Sequence, residues 1–94
     1  MSSAIQQHIH ELDPELLVAD GFDSAIIGIA ERCGMPSVVA YDVDKCIAAL
    51  IVEQGMDEDE AREYFDFNVI GAYVGERTPI FIYPLDPGLM VEGD

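Results

Sequence analysis

Two short pairs of side chains in this sequence could hold a metal ion. His8 and His10 form an H-x-H pair, and Asp42 and Asp44 form a D-x-D pair of the kind that binds divalent cations through oxygen. Side chains two positions apart on a helix do not face each other, so the histidines chelate only if their segment is extended. The glycine and glutamate of a calcium loop do not follow Asp42 at the right offsets, and helix capping accounts for that residue. We therefore expect no metal site and no cofactor.

Four consecutive carboxylates, Asp57–Glu60, are the strongest local signal in the sequence. Asp57 suits the N-cap of a helix, Glu60 completes a capping box three residues later, and Met56 suits an apolar contact with Ala61. The positive end of the helix dipole favours all of these charges. Because the cluster concentrates negative potential, it fits a solvated first turn, a metal cage or a recognition surface.

Residues that could act as nucleophiles have little support from their neighbours. None of the serines lies in a G-x-S-x-G turn. Cys33 and Cys46 form no C-x-x-C pair, and acidic residues outnumber the cation beside each of them. We expect both cysteines to be small, buried apolar residues in a reducing compartment. Since there is also no glycine-rich phosphate loop, the sequence predicts no catalytic residues and no enzyme.

The charge balance excludes several classes of function. The 94 residues include 19 acidic and four basic side chains, for a formal net charge of −15. Lys and Arg drive binding to nucleic-acid phosphates and to anionic membranes, so we expect neither direct nucleic-acid binding nor membrane binding. Half of the residues are hydrophobic, which is unlike an acidic disordered tail. With no apolar run of membrane length and no signal peptide, we expect a cytoplasmic protein.

The first half of the chain predicts a short helical segment followed by a hairpin. Apolar spacing predicts a helix over 3–12, and the Asp-Pro-Glu sequence after it predicts one or two helical turns over 14–19. Residues 24–32 are rich in isoleucine and predict a strand, with a helix as the alternative because short apolar runs are ambiguous. A turn over 33–36 then leads to a second strand over 37–41.

The second half predicts two consecutive helices. Asp42 caps a helix over 43–54, and a second helix with one apolar face begins after Asp57 and ends at Gly75. Asn68 is a polar residue on that otherwise apolar face. Its amide either satisfies a neighbouring backbone group or marks a ligand or partner contact.

A last strand over 78–83 begins near Pro79, which places it at or close to a sheet edge. Together the elements predict an α+β fold: a small three-stranded, mainly antiparallel sheet covered by two main helices, with a short N-terminal helical segment. We expect a single domain over 1–94, with 1–12 and 84–94 as candidate flexible tails.

Three stretches resemble a family of small acidic bacteriophage-encoded proteins of uncharacterised function: DGFDSAIIGIAERCG (20–34), VVAYDVDKCI (38–47) and GMDEDEAREYFDFNVIGAYVGERTPIF (55–81). The resemblance leaves out both ends of the chain. It brings no known activity and no catalytic residues. It implies a setting, which is the cytoplasm of a bacterial cell that carries the phage.

Three functions of different classes fit these observations. The first is a non-enzymatic acidic phage protein that binds and inhibits a basic host protein. That partner would be a nucleic-acid-binding defence effector, and the chain would resemble anti-CRISPR or anti-restriction inhibitors, including DNA mimics. The second is a phage structural or assembly accessory protein that forms a homo-oligomer through the apolar strand Ile80–Tyr83. The third is a small metal-dependent enzyme that uses Asp42, Asp44 and the cluster at 57–60.

We favour the inhibitor hypothesis. Its expected partner-contact residues are the carboxylates Asp57, Glu58, Asp59, Glu60 and Glu63, followed by Asp42 and Asp44. Their positions in the sequence do not say whether the two sets share one face.

Overall fold

The computed structural model describes residues 4–72 and 74–85. The helices and strands in these residues are α1 (Ala4–Leu12), β1 (Ile26–Ala30), β2 (Val38–Asp42), α2 (Val43–Gln54), α3 (Glu58–Phe65) and β3 (Ile80–Ile82). A 3-10 turn over Asp23–Ala25 leads into β1, and a π-helix over Asp66–Ile70 extends α3. The predicted α+β class and the predicted order of elements are confirmed. Most of the tail predicted over 84–94 lies outside the described residues.

The three strands form one sheet in the order β1-β2-β3. β1 and β2 pair antiparallel, with Ile29 opposite Val39, so residues 24–32 contain a strand and not the alternative helix. β2 and β3 are parallel, with Tyr41 opposite Phe81. The sheet is therefore mixed, whereas the sequence predicted a mainly antiparallel one. The connection is the reason, because two helices carry the chain from the end of β2 back to the start of β3, and such a crossover joins parallel strands.

Side-chain caps set the start of both long helices. Asp42 Oδ1 accepts a hydrogen bond from the Lys45 amide at 3.1 Å where α2 begins. Asp57 Oδ1 accepts from the Glu60 amide at 2.8 Å, and Glu60 Oε1 accepts from the Asp57 amide at 3.2 Å, which completes a capping box. Gly55 ends α2 in the left-handed region, with φ at 71°. These predicted boundaries are confirmed.

Four aromatic rings join α3 to the sheet in the centre of the core. The Phe65 ring meets Phe81 edge-on at 5.3 Å between centroids and Phe22 at 6.5 Å. Tyr41 stacks on Phe81 at 5.5 Å, and its hydroxyl accepts a hydrogen bond from the Ala19 amide at 2.7 Å. Phe65 is 1 % exposed, so α3 is fixed against the sheet and its other side faces solvent.

The N-terminal segment docks on this core through α1, where Ile9 is buried. The helical turns predicted over 14–19 are wrong. Asp13 instead caps a single turn: its Oδ1 accepts from the Glu15 amide at 3.0 Å and its carbonyl oxygen accepts from the Leu16 amide at 3.2 Å. Because the Leu16 side chain is anchored in the core, the chain leaves the turn there and continues without regular secondary structure.

The second long helix does not run to Gly75 as the apolar pattern predicted. Its α-helical part ends at Phe65, and the π-helix carries it to Ile70. Asn68 Nδ2 donates a hydrogen bond to the Tyr64 carbonyl oxygen at 3.2 Å, which is the first of the two roles predicted for that amide. A side chain that hydrogen-bonds to the carbonyl oxygen four residues earlier competes with the backbone hydrogen bonds of the helix. Asn68 lies within the π-helix, whose turns are wider than those of an α-helix.

Candidate functional site

The solvent side of α3 and its π-helical extension presents a row of three carboxylates. Asp59, Glu63 and Asp66 follow one another at intervals of four and three residues, which places them on one side of a helix. All three are exposed, whereas Ala61 and Phe65 on the opposite side are buried. The row extends for about 10 Å along the helix axis. We call these three residues the acidic α3 face.

Three of the five contact residues predicted on α3 are engaged in local interactions. Asp57 and Glu60 are occupied by the capping box. Glu58 Oε2 forms an ion pair with Arg62 Nε at 3.2 Å. The two predicted residues that belong to the acidic α3 face have no hydrogen-bond or ion-pair partner in the described part of the chain. Those two carboxylates are therefore available to another molecule.

Asp42 and Asp44 lie at the other end of α2 from this cluster. Asp42 caps the helix, and Asp44 is exposed in its first turn. A helix of 12 residues is about 18 Å long, and α3 begins shortly after the last turn of α2. Asp57–Glu60, at the start of α3, and the pair at the start of α2 thus lie near opposite ends of α2. The carboxylates that a metal-dependent enzyme would have to bring together are thus kept apart.

Asp66 belongs to the acidic α3 face but was not among the predicted contact residues. It follows Asp59 by seven residues, which is the repeat that defines one side of a helix. The apolar side of this helix was predicted from the same helical periodicity, with Ala61 and Phe65 four residues apart. Its application to the charged residues would have identified Asp66.

Few of the carboxylates have a positive neighbour. Sixteen of the 19 acidic residues fall within the described residues. Three of these pair with arginine: Glu58 with Arg62, and Asp13 and Glu15 with Arg77 at 2.9 and 3.7 Å. The other 13 have no cationic group within 4.0 Å in this part of the chain. Because their charge is not compensated locally, the surface carries a strong negative field.

An exposed aromatic ring adjoins the acidic α3 face. Phe67 is 78 % exposed and follows Glu63 by four residues, so these two side chains are neighbours on the helix surface. With Glu60, Glu63 and Tyr64 it lines a shallow groove of about 270 Å³. A guanidinium group binds carboxylates and also stacks on aromatic rings, so this combination suits arginine side chains of a partner.

The histidine pair lies on α1. His10 Nε2 donates to the Leu16 carbonyl oxygen at 3.1 Å, and His8 is exposed. Within 4–72 and 74–85, no group of three or more His, Cys, Asp and Glu side chains is placed to hold a metal ion.

The two cysteines have different environments. Cys46 is fully buried in α2, as predicted. Burial, and to a smaller extent the nearby Asp42 carboxylate, raises the pKa of Cys46 to about 12, so its reactive thiolate form is scarce at neutral pH. Cys33 is exposed in the turn between β1 and β2, and the prediction that it is buried is wrong. A hairpin turn lies at the surface, where no second layer covers it.

None of the helices in the described residues has the length and apolar character needed to cross a lipid bilayer. Comparison of the chain with protein families, with curated proteins and with solved structures gave no match in any of the three.

Proposed function

We propose that this chain is a non-enzymatic acidic phage protein that binds and inhibits a basic host protein that handles nucleic acid. A defence effector of the CRISPR or restriction type in the bacterial cytoplasm is the expected partner. The contact surface is the acidic α3 face together with Phe67. One observation carries the proposal: three exposed carboxylates without a cationic partner in the described residues form a row on a helix that Phe65 fixes to the core.

The spacing of the row suits a groove that binds phosphates. Side chains three or four residues apart on a helix have Cβ atoms about 5–6 Å apart. A groove of Lys and Arg that neutralises successive phosphates presents positive charge at comparable intervals. A formal net charge of −15 on the whole chain would speed its encounter with such a groove. Since nucleic acid needs the same groove, occupation by this chain would inhibit the partner.

Phe67 adds a preference for arginine over lysine. A partner arginine can bond to the Glu63 carboxylate while its guanidinium plane stacks on the Phe67 ring. A lysine ammonium is a compact point charge and has no plane to stack. We therefore expect the contacted groove to be rich in arginine.

Capture from a bacterial lysate with matched charge variants tests the proposal. The α3 variant removes the row of carboxylates, and the control variant removes the same number of charges from exposed residues elsewhere that also have no ion pair in the described residues. The α3 variant is D59N/E63Q/D66N, and the control variant is E31Q/E53Q/E76Q.

At about 0.05 M salt, where screening is weak, the wild type and the control variant should retain a basic nucleic-acid-binding protein that the α3 variant does not retain. A short DNA duplex in excess should release that protein. Equal loss from both variants would show that total charge matters and the acidic α3 face does not. Recovery of no basic protein on the wild type would contradict the proposal itself.

A further inference from the structure

β1 is an edge strand that lacks most of the usual protection against pairing. It forms one side of the sheet, so one row of its backbone groups has no partner strand within the described residues. Its sequence, IIGIA, contains no charge and no proline. Natural edge strands use charges, prolines and bulges to prevent pairing with other chains. The one irregularity in its pairing with β2 lies between Ile26 and Gly28, at Ile27, which has no Cα partner in β2.

Both faces of β1 are accessible in its middle. Ile27 is 48 % exposed and Ile29 is 39 % exposed, and they alternate with half-buried residues. Residues two apart in a strand share a face, so these two isoleucines lie side by side. On the other face, a Cβ built at Gly28 would have no heavy atom within 4 Å. The strand is therefore apolar and uncharged, and the described residues leave the space on the sheet face at Gly28 open.

We propose that β1 pairs antiparallel with β1 of a second copy of this chain, about a two-fold axis at Gly28. In this register Ile27 lies opposite Ile29 of the partner subunit, and Ile29 lies opposite Ile27 of the partner subunit. Both exposed isoleucines of each copy are then buried in two equivalent cross-strand pairs. The two three-stranded sheets become one continuous sheet. This dimer does not depend on the function proposed above.

The two ends of β1 carry charges of both signs, and the apolar sequence between them has an isoleucine on each side of Gly28. Arg32 follows β1 and has no carboxylate within 4.0 Å in the described residues. Asp23 precedes β1, in the 3-10 turn. Antiparallel pairing about Gly28 brings Arg32 of each copy to the end of the strand where Asp23 of the partner subunit lies. The exposed Glu31, beside Arg32, comes to the same end and offsets this attraction. The strand is thus complementary to itself in its apolar contacts.

β3 is less suited to this role, although the sequence predicted Ile80–Tyr83 as the segment that pairs with a second copy. It contains only three paired residues, Ile80–Ile82. Pro79 precedes it and Pro84 follows soon after, and a proline cannot donate a hydrogen bond to a strand ladder. A homo-oligomer of this chain would therefore use the other edge of the sheet.

Electrostatic repulsion gives the dimer a recognisable salt dependence. Each copy carries a formal net charge of −15, and the two copies repel each other. The electrostatic repulsion between two copies is weakest where their sheets meet, because the three strands contain a single carboxylate, that of Asp42. Added salt screens the repulsion. The dimer should therefore become tighter by several-fold as salt is raised, whereas binding to a basic partner becomes weaker.

Sedimentation of the full chain over a range of protein and salt concentrations tests the proposal. The wild type should approach twice its 10.3 kDa mass as protein and salt increase. The variant I27K/I29K, which places like charges across the interface, should stay monomeric. The control L12K/V52K makes the same change at two exposed apolar positions of α1 and α2 and should dimerise like the wild type. Circular dichroism of each variant confirms that it is folded.

Disulfide formation tests the register with smaller substitutions. In a Cys33→Ser background, the variants I27C and I29C are oxidised separately and as a mixture; the buried Cys46 does not interfere. The mixture should form linked dimers several times faster than either variant alone, because Ile27 faces Ile29 of the partner subunit. Equal rates would overturn the register. A chain that stays monomeric at every salt concentration would overturn the dimer, even if a strand of another protein bound β1.

Discussion

Arg77 and Asp13 form an ion pair although 64 positions separate them in the sequence, with Arg77 Nη1 at 2.9 Å from Asp13 Oδ2. The same nitrogen donates to the Ser37 carbonyl oxygen at 3.3 Å. One arginine thus joins the turn after α1, the segment before β2 and the segment before β3. Its side chain is 26 % exposed, so solvent screens the pair less than a pair on the open surface.

The pair predicts a pH-dependent contribution to stability. A hydrogen bond from the Glu15 amide and then the Arg77 side chain lower the pKa of Asp13 below its ordinary value of 3.8. A carboxyl whose pKa is lower in the folded state stabilises the fold above the unfolded pKa and loses that contribution as pH falls through the folded pKa. Asp13→Asn should therefore lower the free energy of unfolding at pH 7, and the difference from wild type should shrink as the solution is acidified below about pH 4.

Urea denaturation at a series of pH values measures this effect. Glu31→Gln is the matched control, because Glu31 is exposed and has no ion pair in the described residues. A difference between Asp13→Asn and wild type that stays constant from neutral to acidic pH would contradict the assignment.

The aromatic cluster predicts opposite outcomes for two neighbouring phenylalanines. Phe65 is 1 % exposed and meets Phe81 and Phe22 edge-on, whereas Phe67 is 78 % exposed. Phe65→Ala should lower the free energy of unfolding by about 3–5 kcal/mol, since it removes buried contacts and leaves a cavity. Phe67→Ala should change it by less than about 0.5 kcal/mol. If Phe65→Ala does not fold, Phe65→Leu should show an intermediate loss in thermal denaturation; equal effects of the two alanine variants would be inconsistent with the fold.

The capping box predicts that two adjacent carboxylates contribute differently to stability. Asp57→Ala removes the acceptor for the Glu60 amide and should cost about 1 kcal/mol. Asp59→Ala removes a charge that has no partner in the described residues, and its effect should stay within about 0.5 kcal/mol. Thermal denaturation of both variants at the same salt concentration checks the comparison. A larger loss for Asp59→Ala would mean that the acidic α3 face stabilises the helix and is not free for a partner.

The two cysteines should differ in reactivity. Cys33 is exposed, whereas burial raises the pKa of Cys46 to about 12. A thiol reagent such as dithionitrobenzoate should label Cys33 rapidly in the native chain and Cys46 only after denaturation. Cys33→Ser is the control and should abolish the fast phase alone. Rapid labelling that survives this substitution would contradict the burial of Cys46.

Local features of this fold could be predicted from the sequence. The caps at Asp42 and Asp57 depend on residues within three positions of each other, and a side-chain oxygen near a free amide is sufficient to start a helix. The strand at Ile26–Ala30 followed from its β-branched residues and the turn after it. The N-terminal helix was likewise visible in the spacing of its apolar residues.

Features that depend on distant contacts could not be predicted in the same way. The residues near β3 in the sequence do not indicate that β3 lies parallel to β2. The parallel arrangement follows from the path of the two helices that connect the strands. The irregular chain after Asp13 follows from the anchoring of Leu16 in a core built by later elements. Propensity alone favours helical turns there, and tertiary packing overrides it.

The candidate site was only partly predictable for a related reason. The sequence shows the density of carboxylates at the start of α3. It does not show which of them cap the helix, which form ion pairs and which remain exposed without a partner in the described residues. Asp57 and Glu60 serve the helix itself and Glu58 pairs with Arg62, whereas Asp59 and Glu63 join Asp66, seven residues beyond Asp59, on the exposed side. Side-chain hydrogen bonds and helical position, and not local charge density, decide which carboxylates are free for a partner.

The most direct test of the central claim is the salt dependence of the dissociation constant for the captured basic protein. It is measured for the wild type, the α3 variant and the control variant. The logarithm of the wild-type affinity should fall steeply with the logarithm of the salt concentration. The α3 variant should bind about ten- to a hundredfold more weakly at low salt and show a shallower slope, since each exposed charge pair contributes up to about 1 kcal/mol. The control variant should stay close to the wild type. Equal affinities and equal slopes for the two variants would contradict the claim that the acidic α3 face is the surface through which this chain is bound.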